Sequence, residues 1–251
     1  MKEYVKINTE NGIGTIEFFH PQSNSLPGHI LAELATTITK AGEDNNIKVI
    51  ILKSAGERAF CAGASFDELI AIDNPENGKK FFSGFANIIN AARKCPKFII
   101  GRVQGKVVGG GVGMVSATDY CFATKFASAK LSELAIGIGP FVVGPAVEHK
   151  VGKSAFSAMT INATKWFDAN WAREKGLYTE IYDSSEEMDI EVEKLATTLS
   201  KSNTEAMEGL KKVMWQGTDH WDTLLMERAV SSGTLVLSDF TRNAIAKFKN
   251  K

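Results

Sequence analysis

The amino-acid sequence predicts an α/β protein that ends in a helical region. Short runs rich in β-branched and aromatic residues alternate with longer stretches of helical periodicity over most of the chain, as in repeated ββα or βα units. Strand patterns nearly vanish after residue 185, where helical patterns follow one another. A length of 251 residues favours one well-buried domain with a small appendage over two full domains.

The individual elements follow from these patterns. Strands are predicted at 4–8, 15–19, 49–53, 98–103 and 120–123. A helix at 28–40 carries Ile30, Leu31, Leu34 and Ile38 on one face. A second helix at 75–95, ended by Pro96, carries Phe81, Phe82, Phe85, Ile88 and Ile89, which form either core or the wall of an apolar pocket. The last helices are predicted at 186–200, 204–217, 220–233 and 238–251.

Composition excludes several classes of function. The 29 basic and 29 acidic residues cancel, which argues against a nucleic-acid partner. No apolar run of about 18 residues and no signal-peptide pattern occurs, so we expect a soluble cytoplasmic protein with no membrane partner. The 3 cysteines lack metal-ligand spacing and fit buried thiols in a reducing compartment, so no metal site is expected.

Two glycine-rich turns suggest chemistry at a carbonyl group. In RAFCAGASFDEL, Ala62, Gly63 and Ala64 lie between a strand and a helix, and Gly109, Gly110 and Gly111 repeat this arrangement before a helix predicted at 112–118. Either stretch alone could be a tight turn. Together they could supply two backbone N–H donors to one oxygen, as in an oxyanion hole. Neither stretch has the spacing of a nucleotide-binding motif.

Glu133 is the candidate acid/base. It stands in KLSELAIGIGP, where apolar surroundings would raise the pKa of a carboxyl group toward that of a useful general base. The alternative is a structural glutamate at a helix start, because Ser132 precedes it in a pattern that resembles a capping motif. The sequence leaves both interpretations open.

These motifs together resemble the crotonase superfamily, the enoyl-CoA hydratase/isomerase family. RAFCAGASFDEL, GRVQGKVVGGGVGM, ATDYCFAT and LSELAIGIGP occur in the family's order over nearly the whole chain, with HPQSNSLP before them and AREKGLY after them. The resemblance implies a crotonase-like spiral of ββα units at 1–185 that holds the active site, and a helical region at 186–251 that forms a homotrimer or hexamer. The implied substrate is an acyl-CoA thioester, with no separate cofactor.

The resemblance also implies a role for particular residues. The N–H groups of Ala62 and Gly110 would bind the thioester oxygen, with Glu133 as the acid/base. The other residues implied to contact CoA or the acyl chain are Asn24, Ser25, Leu26, Ala59, Phe60, Cys61, Gly63, Ala64, Phe82, Phe85, Gly109 and Gly113.

Two positions depart from the family pattern. Gly113 stands where hydratases carry the first of two glutamates, and Ser65 stands where most relatives have aspartate. A single glutamate resembles the Δ3,Δ2-enoyl-CoA isomerases, so isomerisation of a short or branched enoyl-CoA is favoured over hydration. The alternatives are acyl-CoA decarboxylation, a methylglutaconyl-CoA hydratase-like enzyme that binds RNA, and a non-catalytic acyl-CoA-binding module.

Overall fold

The computed structural model describes residues 2–249. Its strands are β1 (Tyr4–Glu10), β2 (Ile13–Phe19), β3 (Ser25–Leu26), β4 (Val49–Ser54), β5 (Ala59–Cys61), β6 (Gly63–Ala64), β7 (Ile99–Val103), β8 (Lys106–Val108), β9 (Tyr120–Thr124), β10 (Ala129–Lys130) and β11 (Glu180–Tyr182). Its helices are α1 (Gly28–Glu43), α2 (Phe66–Ile70), α3 (Pro75–Lys94), α4 (Gly110–Ser116), α5 (Gly144–Ile161), α6 (Ala169–Glu174), α7 (Ser185–Ser200), α8 (Thr204–Met214), α9 (Trp221–Leu235) and α10 (Asp239–Lys249). A 3₁₀ helix covers Glu133–Ile136.

The predicted α/β class is confirmed. The main sheet has the order β1-β2-β4-β7-β9-β11, in which β1 and β2 are antiparallel and the other pairs are parallel. The five predicted strands appear within two residues of their predicted ends. The smaller strands form a parallel β10-β8-β5 sheet and a parallel β3-β6 pair, and they are too short for a periodicity signal.

The two faces of the main sheet are covered by different helices. Along β4, Ile50 and Leu52 join the core formed with α1 and α3, whereas Val49 and Ile51 face α7, as the alternation of strand side chains requires. Met188, Val192 and Ala196 of α7 are buried against this second face. Helix α7, which follows the expected boundary at residue 185, therefore completes the core on the second face of the sheet.

The later helices also pack on the rest of the chain. Helix α9 runs against α3 so closely that a β-carbon at Gly78 would lie 2.7 Å from the Cα of Gly233. Helix α10 contacts the 3₁₀ helix, where Phe240 and Thr241 lie against Gly137. None of the helices in the described part of the chain is long and apolar enough to cross a membrane.

Candidate active site

A cavity of about 430 Å³ lies where the two glycine-rich turns meet. Ala62, Gly63 and Ala64 line it from one side, and Gly109 and Gly110 from the other. The remaining wall is mostly apolar and comes from α2, α3 and the segment after Glu133; it includes Leu69, Phe81, Phe82, Phe85, Ile138, Phe141 and Val143. The cavity thus joins backbone donors, one carboxyl group and an apolar chamber.

Strand pairing decides which backbone N–H groups are free. The Ala62 N–H donates to the Asn24 carbonyl oxygen at 3.1 Å, so the expectation that it binds a substrate oxygen is wrong in this structure. The Leu26 carbonyl oxygen accepts from the Ser65 N–H at 2.8 Å, while Leu26 pairs with Ala64 in the parallel register. In a parallel ladder only one residue of each opposed pair makes backbone hydrogen bonds to the other strand. In this pair that residue is Leu26, so the Ala64 N–H points away from β3.

Gly110 provides the second candidate donor. It is the first residue of α4, and the N–H groups of a helix's first turn have no intrahelical partner. Gly109 before it has φ +54°, a conformation that favours glycine, and its N–H donates to the Lys130 carbonyl oxygen at 2.9 Å. Ala64 and Gly110 therefore replace the predicted pair of Ala62 and Gly110 as candidate oxygen-binding donors.

Close packing explains the remaining glycines of VVGGGVGMV. A β-carbon at Gly110 would lie 2.2 Å from Cε2 of Phe85, and one at Gly111 would lie 2.8 Å from Cβ and O of Cys61. At Gly113 a β-carbon would lie 2.5 Å from Cγ1 of Val143. Each glycine allows a neighbouring element to approach α4 closely.

Glu133 lies against the glycine turn. A β-carbon at Gly109 would be 3.1 Å from Glu133 Oε1. The residue is half-buried because it faces the cavity, yet Oε2 itself is buried and has no hydrogen-bond partner among the described residues. Burial raises the pKa of Glu133 to about 7, opposed by a bond from its own backbone N–H. The Ser132 side chain makes no capping bond, which disfavours the purely structural alternative.

Glu133 is the only acidic residue that lines the cavity in the described part of the chain. Gly113 is buried behind the cavity wall, and Val143 fills the space that a side chain at 113 would need. No group of three or more potential metal ligands occurs among residues 2–249.

The structure divides the twelve residues expected to contact CoA or the acyl chain. Gly63, Ala64, Phe82, Phe85 and Gly109 line the cavity. Asn24, Ser25, Leu26, Ala59, Phe60, Cys61 and Gly113 lie outside its lining.

The seven outer residues have other structural roles. Leu26, Phe60 and Cys61 are fully buried, so their side chains are not accessible to a ligand. Asn24 accepts from the His20 N–H at 2.7 Å and donates to the carbonyl oxygens of Ala55 and Ala59. These bonds commit the Asn24 side chain to holding its loop beside β5, and any contact that the seven residues make with CoA stays a prediction.

Sequence reasoning missed several lining residues. Phe141 and Val143 come from a segment with no motif of its own, just after the LSELAIGIGP stretch. Lys130 begins the KLSELAIGIGP stretch, in which the sequence predicts a role only for Glu133. Ser232 belongs to α9, so the C-terminal helices contribute to the cavity. Only the folded chain brings these positions together.

Comparison with known proteins agrees with this architecture. The chain shares its fold with an enoyl-CoA hydratase from Bacillus halodurans, whose solved structure superimposes with a TM-score of 0.89 at 19% identity, covering 97% of this chain and 99% of that one. The family model for enoyl-CoA hydratase/isomerase matches residues 8–243. The chain therefore belongs to the enoyl-CoA hydratase/isomerase family.

Curated relatives span several reactions. The chain is 29% identical to the bacillaene synthase dehydratase PksH of Bacillus subtilis (strain 168), over 94% of this chain and 89% of that protein. It is 25% identical to the peroxisomal Δ(3,5)-Δ(2,4)-dienoyl-CoA isomerase of Arabidopsis thaliana, over 84% and 80%. It is 26% identical to the ethylmalonyl-CoA decarboxylase of Xenopus tropicalis, over 84% and 71%.

Proposed function

We propose that the protein isomerises a 3-enoyl-CoA thioester to the 2-enoyl thioester, with Glu133 as the single acid/base. The observation that carries the proposal is the carboxyl group of Glu133, a residue that lines the cavity beside the glycine turn, because its buried Oε2 has no hydrogen-bond partner among the described residues. A pKa of about 7 suits a group that takes up and returns a proton near neutral pH.

The proposed steps use only this chain's residues and the substrate. The ionised Glu133 removes a proton from C2 of the thioester, and the negative charge moves onto the thioester oxygen. The N–H groups of Ala64 and Gly110 stabilise that oxygen by hydrogen bonds that strengthen as charge develops. Glu133 then delivers the proton to C4, and the double bond shifts from C3–C4 to C2–C3.

Among residues 2–249 no second carboxylate lines the cavity, which favours this reaction over hydration. Water addition needs one group to orient the nucleophile and another to supply the proton at the neighbouring carbon. Val143 is the side chain packed against Gly113, and it is apolar. Isomerisation needs only the one base that Glu133 supplies.

The test is turnover of 3-enoyl-, 2-enoyl- and carboxyacyl-CoA thioesters, followed by thioester absorbance and product mass. Glu133→Gln should lower isomerisation at least about a hundredfold while leaving CoA-ester binding intact, because the amide cannot accept the proton. In the wild type, kcat/KM should rise with pH through about 7 as Glu133 ionises.

The control for this variant is Glu186→Gln, at a position in the first turn of α7 remote from the cavity, which should keep the wild-type rate. Isomerisation by Glu133→Gln at the wild-type rate would contradict the proposal. Decarboxylation of a carboxyacyl-CoA without isomerase activity would instead favour the second candidate, which also needs no second glutamate.

A further inference from the structure

Ser232 brings a hydroxyl group into the apolar part of the cavity wall. The residue belongs to α9, lines the cavity and is only 1% exposed. Among the described residues its hydroxyl forms no hydrogen bond, unlike the neighbouring Ser231 hydroxyl, which donates to the Glu227 carbonyl oxygen at 3.3 Å. A serine hydroxyl in a helix commonly bonds to such a carbonyl oxygen. The Ser232 hydroxyl therefore keeps its donor and acceptor capacity for an occupant of the cavity.

The packing of α9 on α3 fixes the position of Ser232. Gly233 lies against Gly78, near the start of α3. Arg93, near the end of α3, pairs with Asp222 at the start of α9, so the two helices run antiparallel. Helical side chains lean toward the N-terminus of their own helix. The Ser232 side chain therefore leans toward the turn of α3 that follows Gly78.

That turn of α3 carries two aromatic rings. Phe81 and Phe82 both line the cavity, with ring centroids 5.0 Å apart and planes at 87°. One turn further along α3, Phe85 lies against Gly110 of the glycine turn. Ser232 thus lies about one to two helical turns from the glycine turn, roughly 5–10 Å along the axis of α3.

The charged groups of the cavity lie at the glycine turn. In the described lining the one cation is Lys130, which pairs with Val108 directly before Gly109. The one acidic residue is Glu133, which lies against Gly109. Beside the aromatic rings near Ser232, an ionised ligand group would lose its hydration without gaining a counter-charge. A neutral oxygen at the same place would gain a hydrogen bond.

We propose that Ser232 is a specificity residue that binds a neutral oxygen of the acyl chain, in a hydroxyl or carbonyl group, beyond the reacting carbons. The inference rests on the proposed use of a thioester substrate and narrows its class to oxygenated acyl chains. The Ser232 hydroxyl donates to this oxygen or accepts from a substrate hydroxyl group. A chain that lacks the oxygen leaves Ser232 without a partner, and a buried polar group left unpaired makes a site selective.

The experiment measures binding of saturated thioesters by calorimetry, using octanoyl-CoA and its 6-, 7- and 8-hydroxy derivatives. At least one hydroxy derivative should bind about three- to tenfold more tightly than octanoyl-CoA. Ser232→Ala should abolish this preference by weakening hydroxyoctanoyl-CoA binding while leaving octanoyl-CoA binding unchanged. The matched control is Ser231→Ala, at an exposed position outside the cavity lining, which should keep the preference.

A carboxylate probe tests the requirement for a neutral group. Octanedioyl-CoA should bind less tightly than 8-hydroxyoctanoyl-CoA, and tighter binding would overturn the inference. The absence of any hydroxy preference in the wild type would also overturn it, as would an equal loss of all four ligands in folded Ser232→Ala.

The saturated chains contain no double bond to move, so the result does not depend on turnover. A hydroxy preference without isomerase activity would refute the proposed reaction and leave the role of Ser232 standing. Isomerase activity without a hydroxy preference would do the reverse.

Discussion

The burial of Glu133 favours its reactivity and lowers the stability of the folded chain when the group is ionised. Its carboxyl group is desolvated beside Gly109, and its Oε2 has no partner in the described part of the chain. Burial disfavours a charged carboxylate more than a neutral carboxylic acid, and the pKa of Glu133 rises for this reason. The same feature that favours proton transfer near neutral pH therefore costs folding free energy when the group ionises.

We predict a pH-dependent gain in stability for Glu133→Gln. The pKa of Glu133 is about 7 in the folded chain, against 4.5 for an ordinary glutamate side chain. The folded state thus binds one proton more than the unfolded state between these values, and stability falls as pH rises through that range. The wild type should lose about 3 kcal/mol relative to Glu133→Gln between pH 4 and pH 8.

Urea unfolding of both proteins at several pH values measures this difference. The exposed Glu186→Gln variant is the control and should follow the wild type at every pH. A constant difference between Glu133→Gln and the wild type would mean that the carboxyl group titrates alike in the folded and unfolded states.

Gly113 gives a second prediction at the residue scale. Gly113→Ala should lower the free energy of unfolding by about 1–3 kcal/mol, because its β-carbon overlaps Val143. Gly113→Glu alone should be destabilised for the same reason. In the double variant Gly113→Glu/Val143→Gly the new glutamate should fit and place a second carboxylate near Glu133. This double variant should hydrate 2-enoyl-CoA faster than Val143→Gly alone. Robust hydration by the wild type would contradict the single-base assignment.

At the scale of elements, a buried ion pair joins helix α8 to the main sheet. Lys211 Nζ lies 2.7 Å from Asp119 Oδ2 and donates to the Lys97 carbonyl oxygen at 3.0 Å. Asp119 also accepts from the Ile99 N–H and from Trp215 Nε1. Both side chains of the pair are almost fully buried. This network fixes the end of α8 against the start of β7.

Lys211→Met should therefore lower the free energy of unfolding by about 3 kcal/mol, because it leaves the buried Asp119 carboxylate without its cation. Lys212→Met is the matched control, since Lys212 pairs with Glu208 on the exposed surface and such pairs contribute little. Denaturant midpoints of the two variants check the prediction. Equal midpoints would show that the other donors to Asp119 suffice.

At the scale of the whole molecule, the homotrimer or hexamer that the family resemblance implies needs an apolar face that a single chain leaves exposed. In the structure Trp215, Leu225 and Val236 are buried within the same chain. Leu210, Val213 and Met214 of α8 remain half or more exposed, and their spacing places them on one helical face.

We predict that this face of α8 contributes to a trimer or hexamer. Val213→Glu should reduce the assembled mass measured by light scattering, because it places a charge in an apolar contact. Ile190→Glu is the control, as Ile190 is exposed on α7 away from this face. A wild-type monomer at micromolar concentration would contradict the prediction.

The sequence by itself determined the class of fold, the longer strands and helices, and the positions of the two glycine-rich turns. Strands and helices such as β4 and α3 are predicted by the local periodicity of apolar residues, which can be read directly along the sequence. The motif around Glu133 likewise identified the acidic residue that, alone among the residues the structure describes, lines the cavity.

Only the tertiary structure decided which atoms are free to act. The sequence predicts that the Ala62 N–H is available, but the register of β3 with β6 directs it to the Asn24 carbonyl oxygen and leaves the Ala64 N–H without a hydrogen bond to β3. Val143 joins the site through its contact with Gly113, and Lys130 through the pairing of β10 with β8, and both contacts join residues that are distant in the chain. Hydrogen-bond partners and close packing depend on strand register and long-range contacts, and local residue patterns do not specify either.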